Sequence, residues 1–349
     1  MPLSDWTYTH WLFNFQDQFT KRALPGEMLI RMGLEPSYDL ITQIGLVFAL
    51  AGFIALTFVF ARPLFQQNRT GLWLFLLLAV SFPATLQHLR MDLGRFDVIG
   101  LLLGISAMLT IRHNPRLAYL IVPLLMALAI IVHEAMFFII LPLVMGYWLY
   151  CTREGRSGLI VLVVFLSLLG FTYLVATKGT LPQAGQAEHL KTLQADYGER
   201  VTPSSLVVLY RGDLATHAQR SWANAFTPNR LFHHLAMFTV VLPLLLLFFI
   251  CLSQQLDRYK ILVLVGAAAP LLLYPLGHDH IRWWALAVTN GFIALSLLAT
   301  DDTDFARQLD DTLEHYKVQV SAFIMLCLFA GPMGNTTSFP HSPYHIWIG

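Results

Sequence analysis

Ten blocks of apolar, almost uncharged residues divide the chain, at 41–61, 71–87, 97–111, 117–132, 134–150, 157–176, 235–253, 259–276, 283–299 and 319–332. At about 1.5 Å rise per helical residue, several are long enough to cross the roughly 30 Å hydrocarbon layer of a bilayer. Charged residues make up 12% of the 349 and apolar residues 56%, whereas soluble domains carry about 25% charge. So few charges cannot cover a water-exposed surface of this size. The pattern excludes a soluble enzyme, with or without a single anchor. It predicts an all-α polytopic integral membrane protein with about ten transmembrane helices. A formal charge of +1 without a basic stripe argues against a nucleic-acid partner, and three cysteines offer neither a disulfide framework nor a metal-ligand pair.

Five segments follow from these blocks. Residues 1–40 read as an amphipathic N-terminal segment with Trp6, Trp11, Phe13, Phe15 and Phe19 as interfacial aromatics; 41–176 holds helices one to six; 177–234 is one large polar loop; 235–332 holds helices seven to ten; 333–349 is a tail. Basic pairs in short loops (Arg62 and Arg69, Arg112 and Arg116, Arg153 and Arg156, Arg258 and Lys260) fall on one side of a ten-span arrangement. By the positive-inside rule that side is the cytoplasm, so both termini, the tail and the large loop come out extracytoplasmic. Arg90 and Arg95 then lie outside, against the rule. The stretch 117–150 is too long for one span and interrupts itself at His133-Glu134. Two helices meeting there is the preferred reading, and one long tilted helix is the alternative.

Three polar clusters stand at the ends of these blocks. QHLRMDLGRFDVIG, residues 87–100, packs His88, Arg90, Asp92, Arg95 and Asp97 between apolar runs, with Gly94 free to bend. His133-Glu134 lies inside continuous apolar sequence, where a glutamate must be protonated, ion-paired or hydrated. It continues as HEAMF, without the second histidine of a zinc-protease HExxH motif. LYPLGHDHIRWWAL, residues 273–286, adds His278, Asp279, His280, Arg282, Trp283 and Trp284. All three clusters fall at or near the outer face of the ten-span arrangement. The structural alternative to a site is local pairing: Arg95 with Asp92, Arg282 with Asp279, and Glu134 with an arginine.

An outward polar site above an apolar groove suits chemistry on a polyprenyl-phosphate- or polyprenyl-diphosphate-linked sugar. Such transfer needs cations for the departing phosphate, for which Arg90, Arg95 and Arg282 are candidates. It needs a base for the acceptor hydroxyl, for which Asp92, Asp97, Glu134 and His278 are candidates. Trp283, Trp284, His133, Asp279 and His280 are candidate sugar or lipid contacts. No metal or other cofactor is required.

On GRFD at 94–97, HE at 133–134 and GHDHIRWW at 277–284, the arrangement resembles bacterial cell-envelope polysaccharide polymerases and the outward-facing polytopic glycosyltransferases. That resemblance implies an undecaprenyl-linked saccharide as substrate at the periplasmic face of the bacterial inner membrane. It makes Arg95 and Arg282 phosphate ligands and Asp92 or Asp97 a base. It also implies membrane lipid and other envelope polysaccharide assembly proteins as partners. The tandem acidic signature of some lipid-phosphate-sugar transferases is absent, since Asp92 and Asp97 are separated. Two other classes compete. One is a zinc-dependent membrane hydrolase drawing on His88, His133, Glu134, His278, Asp279 and His280. The other is a proton-coupled transporter or flippase-like assembly protein.

Overall fold

The computed structural model describes residues 3–16, 18–153, 158–210, 219, 221–223, 226–253 and 257–334. Residues 335–349 of the tail, and Arg211, His217 and Arg220 of the large loop, lie outside the described residues. Among the described residues the chain is helical, with no strand beyond one isolated bridge between Leu181 and Tyr210. Seven helices are long and apolar enough to cross a membrane: Tyr38–Gln66, Thr70–Leu89, Pro115–Val132, Gly158–Lys178, Pro228–Ile250, Arg258–Leu276 and His280–Asp301. The chain is a polytopic membrane protein by this measure. Asp97–His113 and the broken pair Met136–Ile139 and Leu141–Cys151 are shorter. Thr303–His315 and Lys317–Ala330 meet at an 84° bend.

Local chemistry sets the helix ends. Asn114 accepts the Leu117 N–H and Pro115 opens the following helix, so the chain reverses within one residue. Asp257 and Asp302 cap their helices in the same way. The 117–150 stretch does break at His133, whose extended backbone (φ −158°, ψ 115°) ends one helix before the next begins.

The chain divides into two compact units. The first comprises Met1–Gly52, Asp92–Phe137 and Glu154–Thr216, and the second Phe53–Met91, Phe138–Arg153 and His217–Gly349. In the first, part of the N-terminal segment is buried within the protein. Trp11 and Phe13 are buried with Leu3, Tyr8 and Leu12, and this core continues into Leu193, Val201, Leu206, Leu209 and Tyr210 of the large loop. Arg200 reaches Asp5, and Thr202 donates its N–H to the Thr9 hydroxyl. Trp11 and Phe13, read as interfacial aromatics, thus serve a small core built with the 181–210 stretch, whereas Phe19 is 41% exposed.

The second unit is organised on His280–Asp301, 89% of whose apolar window is buried, against 17% for Gly158–Lys178 of the first unit. Phe292 is ringed by Phe60, Phe75, Phe82 and Phe248 at centroid distances of 5.3–6.0 Å. The helices Leu141–Cys151 and Arg258–Ala268 approach through Gly146 and Gly266, where an added Cβ would strike the facing backbone. Small residues at such contacts let apolar helices pack closely without a hydrophobic driving force.

Candidate functional site

Two of the three sequence clusters come together in the first unit. Asp92, Arg95 and Asp97 lead into the Asp97–His113 helix, and His133 and Glu134 follow the Pro115–Val132 helix that packs beside it. Asp92 and Asp97 are each 1% exposed. Arg95 Nε lies 3.6 Å from Asp92 Oδ1, so these two pair across a turn and not along a helix face. The Arg95 guanidinium also covers the Trp6 ring at 4.7 Å. Gly94 allows this approach: its φ is +74°, its carbonyl accepts the Trp11 indole N–H at 2.8 Å, and a Cβ would stand 2.5 Å from Leu3.

Glu134 has a partner no spacing rule indicates. Arg22, 112 residues earlier, grips both carboxylate oxygens, with Nη2 at 2.5 Å and Nε at 2.9 and 3.1 Å. Side-chain exposures of 12% and 16% place the pair largely out of water. Arg22 alone among the described non-glycine residues has a left-handed backbone, at φ 62°. That conformation costs about 1–3 kcal/mol and persists only where surrounding contacts fix it. Here the fixing contacts are the two-pronged ion pair and the Lys21 N–H, which donates to the Gly179 carbonyl at 3.0 Å. His133 Nδ1 accepts the Ala135 N–H at 3.2 Å, which leaves the imidazole proton on Nε2. The 3.5 Å approach of that same nitrogen to Glu134 is therefore a contact beside the ion pair and no second salt bridge.

His10 completes the group. It is 3% exposed, its Nδ1 lies 3.0 Å from the Trp6 carbonyl, and its ring sits 3.8 Å from that of Trp6. Burial pushes its pKa well below the usual 6.5, and the charges of Arg22, His133 and Arg95 push the same way.

The third cluster is in the second unit. Arg282 pairs with Asp279, and Trp283, 5% exposed, packs among Tyr274 and His280. His280 opens its helix, so His278 stands outside it in an exposed position and does not share a helical face with Arg282. A directed chain of hydrogen bonds links Trp284 to Tyr274 and Tyr274 to His234. The indole N–H donates to the phenol oxygen at 2.6 Å, and the phenol donates to His234 Nε2 at 3.0 Å, because His234 Nδ1 is committed to the Arg230 carbonyl. Arg90 is exposed and also belongs to the second unit. His88, buried, lies at hydrogen-bonding distance from the Met333 carbonyl, 2.6 Å away.

No family model matches the chain, and neither a curated protein nor a solved structure matches it. The site rests on its own geometry. Among the described residues no three His, Cys, Asp or Glu side chains are gathered as a metal ion would require, so the zinc-hydrolase alternative finds no ligand set there.

Arg22, His10 and Tyr274 were not among the residues the sequence singled out. A buried Glu134 demanded a cation, but nothing local distinguishes Arg22 from the other arginines. His10 sits among aromatics that read as an interfacial rim.

Proposed function

We propose that this protein transfers a glycosyl group from a polyprenyl-phosphate- or polyprenyl-diphosphate-linked saccharide to a saccharide acceptor, at the extracytoplasmic face of a bacterial inner membrane. The observation that carries this is the buried group of Arg22, Arg95, Asp92, Asp97, Glu134, His133 and His10 in the first unit. Ionic groups next to apolar helices are costly unless paired or facing a polar cavity; Arg95–Asp92 and Arg22–Glu134 are such pairs, and the gathering of both beside His10 and His133 at two helix ends supports a site of chemistry. In the reaction the acceptor hydroxyl oxygen bonds to the anomeric carbon while its proton passes to Asp92, Asp97 or Glu134. The bond from that carbon to the phosphate oxygen breaks, and its electron pair leaves on the phosphate. Arg95 stabilises this developing charge, a contact stronger in the transition state than in bound substrate. Arg90, Arg282, His278, Asp279, His280, Trp283 and Trp284 belong to the second unit and take no part in this step.

The accompanying topology has ten spans, with Asp97–His113, Met136–Cys151 and Lys317–Ala330 added to the seven longer helices. Both termini and the loop 177–234 are then extracytoplasmic. Such an enzyme works with membrane lipid and with other envelope polysaccharide assembly proteins, and no step above needs a cofactor.

Purified protein in proteoliposomes, given a polyprenyl-diphosphate-linked oligosaccharide, should lengthen the saccharide and release the polyprenyl diphosphate. Asp97→Asn should lower the rate by about 10²-fold or more, the usual contribution of a general base. Movement of a solute or lipid across the bilayer without any glycosidic bond formed would instead mark a transporter.

A further inference from the structure

One buried nitrogen in the first unit lacks a hydrogen-bond partner that its chemistry demands. The Nδ1 of His10 faces the Trp6 carbonyl, which can only accept, so the proton of the neutral ring is on Nδ1 and Nε2 presents a lone pair. Nε2 is buried and has no hydrogen-bond partner among the described residues. The ring is clamped by Trp6 at 3.8 Å and Phe13 at 5.2 Å, so it cannot turn that nitrogen outward without breaking these contacts and the bond to Trp6. The charged groups that act on it are Arg22, His133 and Arg95, members of the site itself. An unsatisfied buried acceptor is unfavourable by about 1–3 kcal/mol. A hydroxyl donor that reached this nitrogen would recover that cost.

We propose that His10 Nε2 accepts a hydrogen bond from a hydroxyl group of the saccharide acceptor and so orients it for attack. A lone-pair nitrogen selects a neutral O–H donor and offers nothing to a phosphate oxygen, which separates this subsite from the arginines that suit the lipid-linked donor. That the hydroxyl compound is a saccharide rests on the glycosyl-transfer reading; that Nε2 receives a hydroxyl does not. The N-terminal segment then contributes directly to ligand recognition through a residue whose tautomer is set by its own helix.

The test is histidine-selective 15N NMR of the full chain in lipid nanodiscs, with His10→Gln assigning the resonance. At neutral pH one ring nitrogen should be protonated and the other not. Addition of glucose, galactose or N-acetylglucosamine should move the unprotonated nitrogen, and permethylated glucose, which has no O–H donor, should leave it in place. His10→Phe keeps the ring packing and should weaken hexose binding about tenfold, the loss of one hydrogen bond to a buried acceptor. His10→Gln keeps an acceptor and should weaken it less. No movement with any of the three sugars, or equal movement with the permethylated one, overturns the assignment. The transfer assay on the unmodified protein is a separate readout. Hexose recognition at Nε2 without transfer overturns only the glycosyl-transfer reading, and transfer without recognition overturns only the role of His10.

Discussion

Glu134 would be untenable where it is without Arg22. Removing one partner of a buried ion pair leaves the other charge unsolvated, which costs about 3–5 kcal/mol. Arg22→Ala should therefore destabilise the protein by about that amount in denaturant unfolding in detergent. The double change Arg22→Ala with Glu134→Gln should recover a good part of the loss, because the stranded carboxylate has gone. Losses that simply add would show that the two side chains do not depend on one another. Nothing in the sequence connects positions 22 and 134. The need for a partner was legible in the isolated glutamate, but its identity was decided by how the chain turns at Arg22. His10 gives a prediction in pH. Its folded pKa lies below the ordinary 6.5, so between those values the unfolded chain binds a proton that the folded chain refuses. The stability it contributes is fully present above about pH 6.5 and falls as the solution is acidified. Arg22, Arg95 and His133 beside it oppose its protonation. The apparent Tm should drop between about pH 7 and pH 5, and His10→Gln, which cannot titrate, should flatten that drop. An unchanged slope would show that His10 is not the group refusing the proton.

At the scale of elements, the turn at Gly94 holds the polar cluster against the N-terminal helix Asp5–His10. Gly94 and Gly33 both have positive φ, at +74° and +70°. They differ in surroundings: a Cβ at Gly33 meets nothing within 4 Å, whereas at Gly94 it would stand 2.5 Å from Leu3 Cδ1 and 3.1 Å from Thr7 Cγ2. Gly33→Ala should cost only the left-handed conformation, about 1–2 kcal/mol. Gly94→Ala should cost that and a displaced helix besides, because Leu3 and Thr7 stand in the way. Equal losses of stability in the two variants would mean that the helix does not bear on the turn. Helix ends were the most legible elements. Asn114-Pro115 and Asp257 announce theirs through capping chemistry. The break at His133-Glu134 was legible for a different reason, since two charged or titratable residues do not sit comfortably mid-span. The amphipathic helix Thr303–His315 is a different case: its residues read only as an acidic inner loop, and the helix shows once Phe305, Leu309 and Leu313 are seen buried on one face.

At the scale of the molecule, the orientation in the membrane is the property most open to a direct test. Ser204 and Asn68 are both exposed. If the loop 177–234 is extracytoplasmic and the 67–69 turn cytoplasmic, a membrane-impermeant thiol reagent applied to intact cells should label Ser204→Cys and spare Asn68→Cys. Permeabilised cells should label both, and equal labelling before permeabilisation would reverse or abolish the proposed topology.

By itself the sequence determined the class of the protein and the positions of its long apolar helices, because a helix that crosses hydrocarbon needs a long uncharged block with its backbone satisfied internally. It also made the polar residues between and within those blocks conspicuous, since charge stands out against such a background. Only the tertiary structure decided which of them meet. It drew 92–97 and 133–134 together, brought Arg22 and His10 to them, and packed the N-terminal aromatics against residues 193–210. Those choices depend on long-range packing and on one left-handed residue, and neither leaves a periodic trace along the chain.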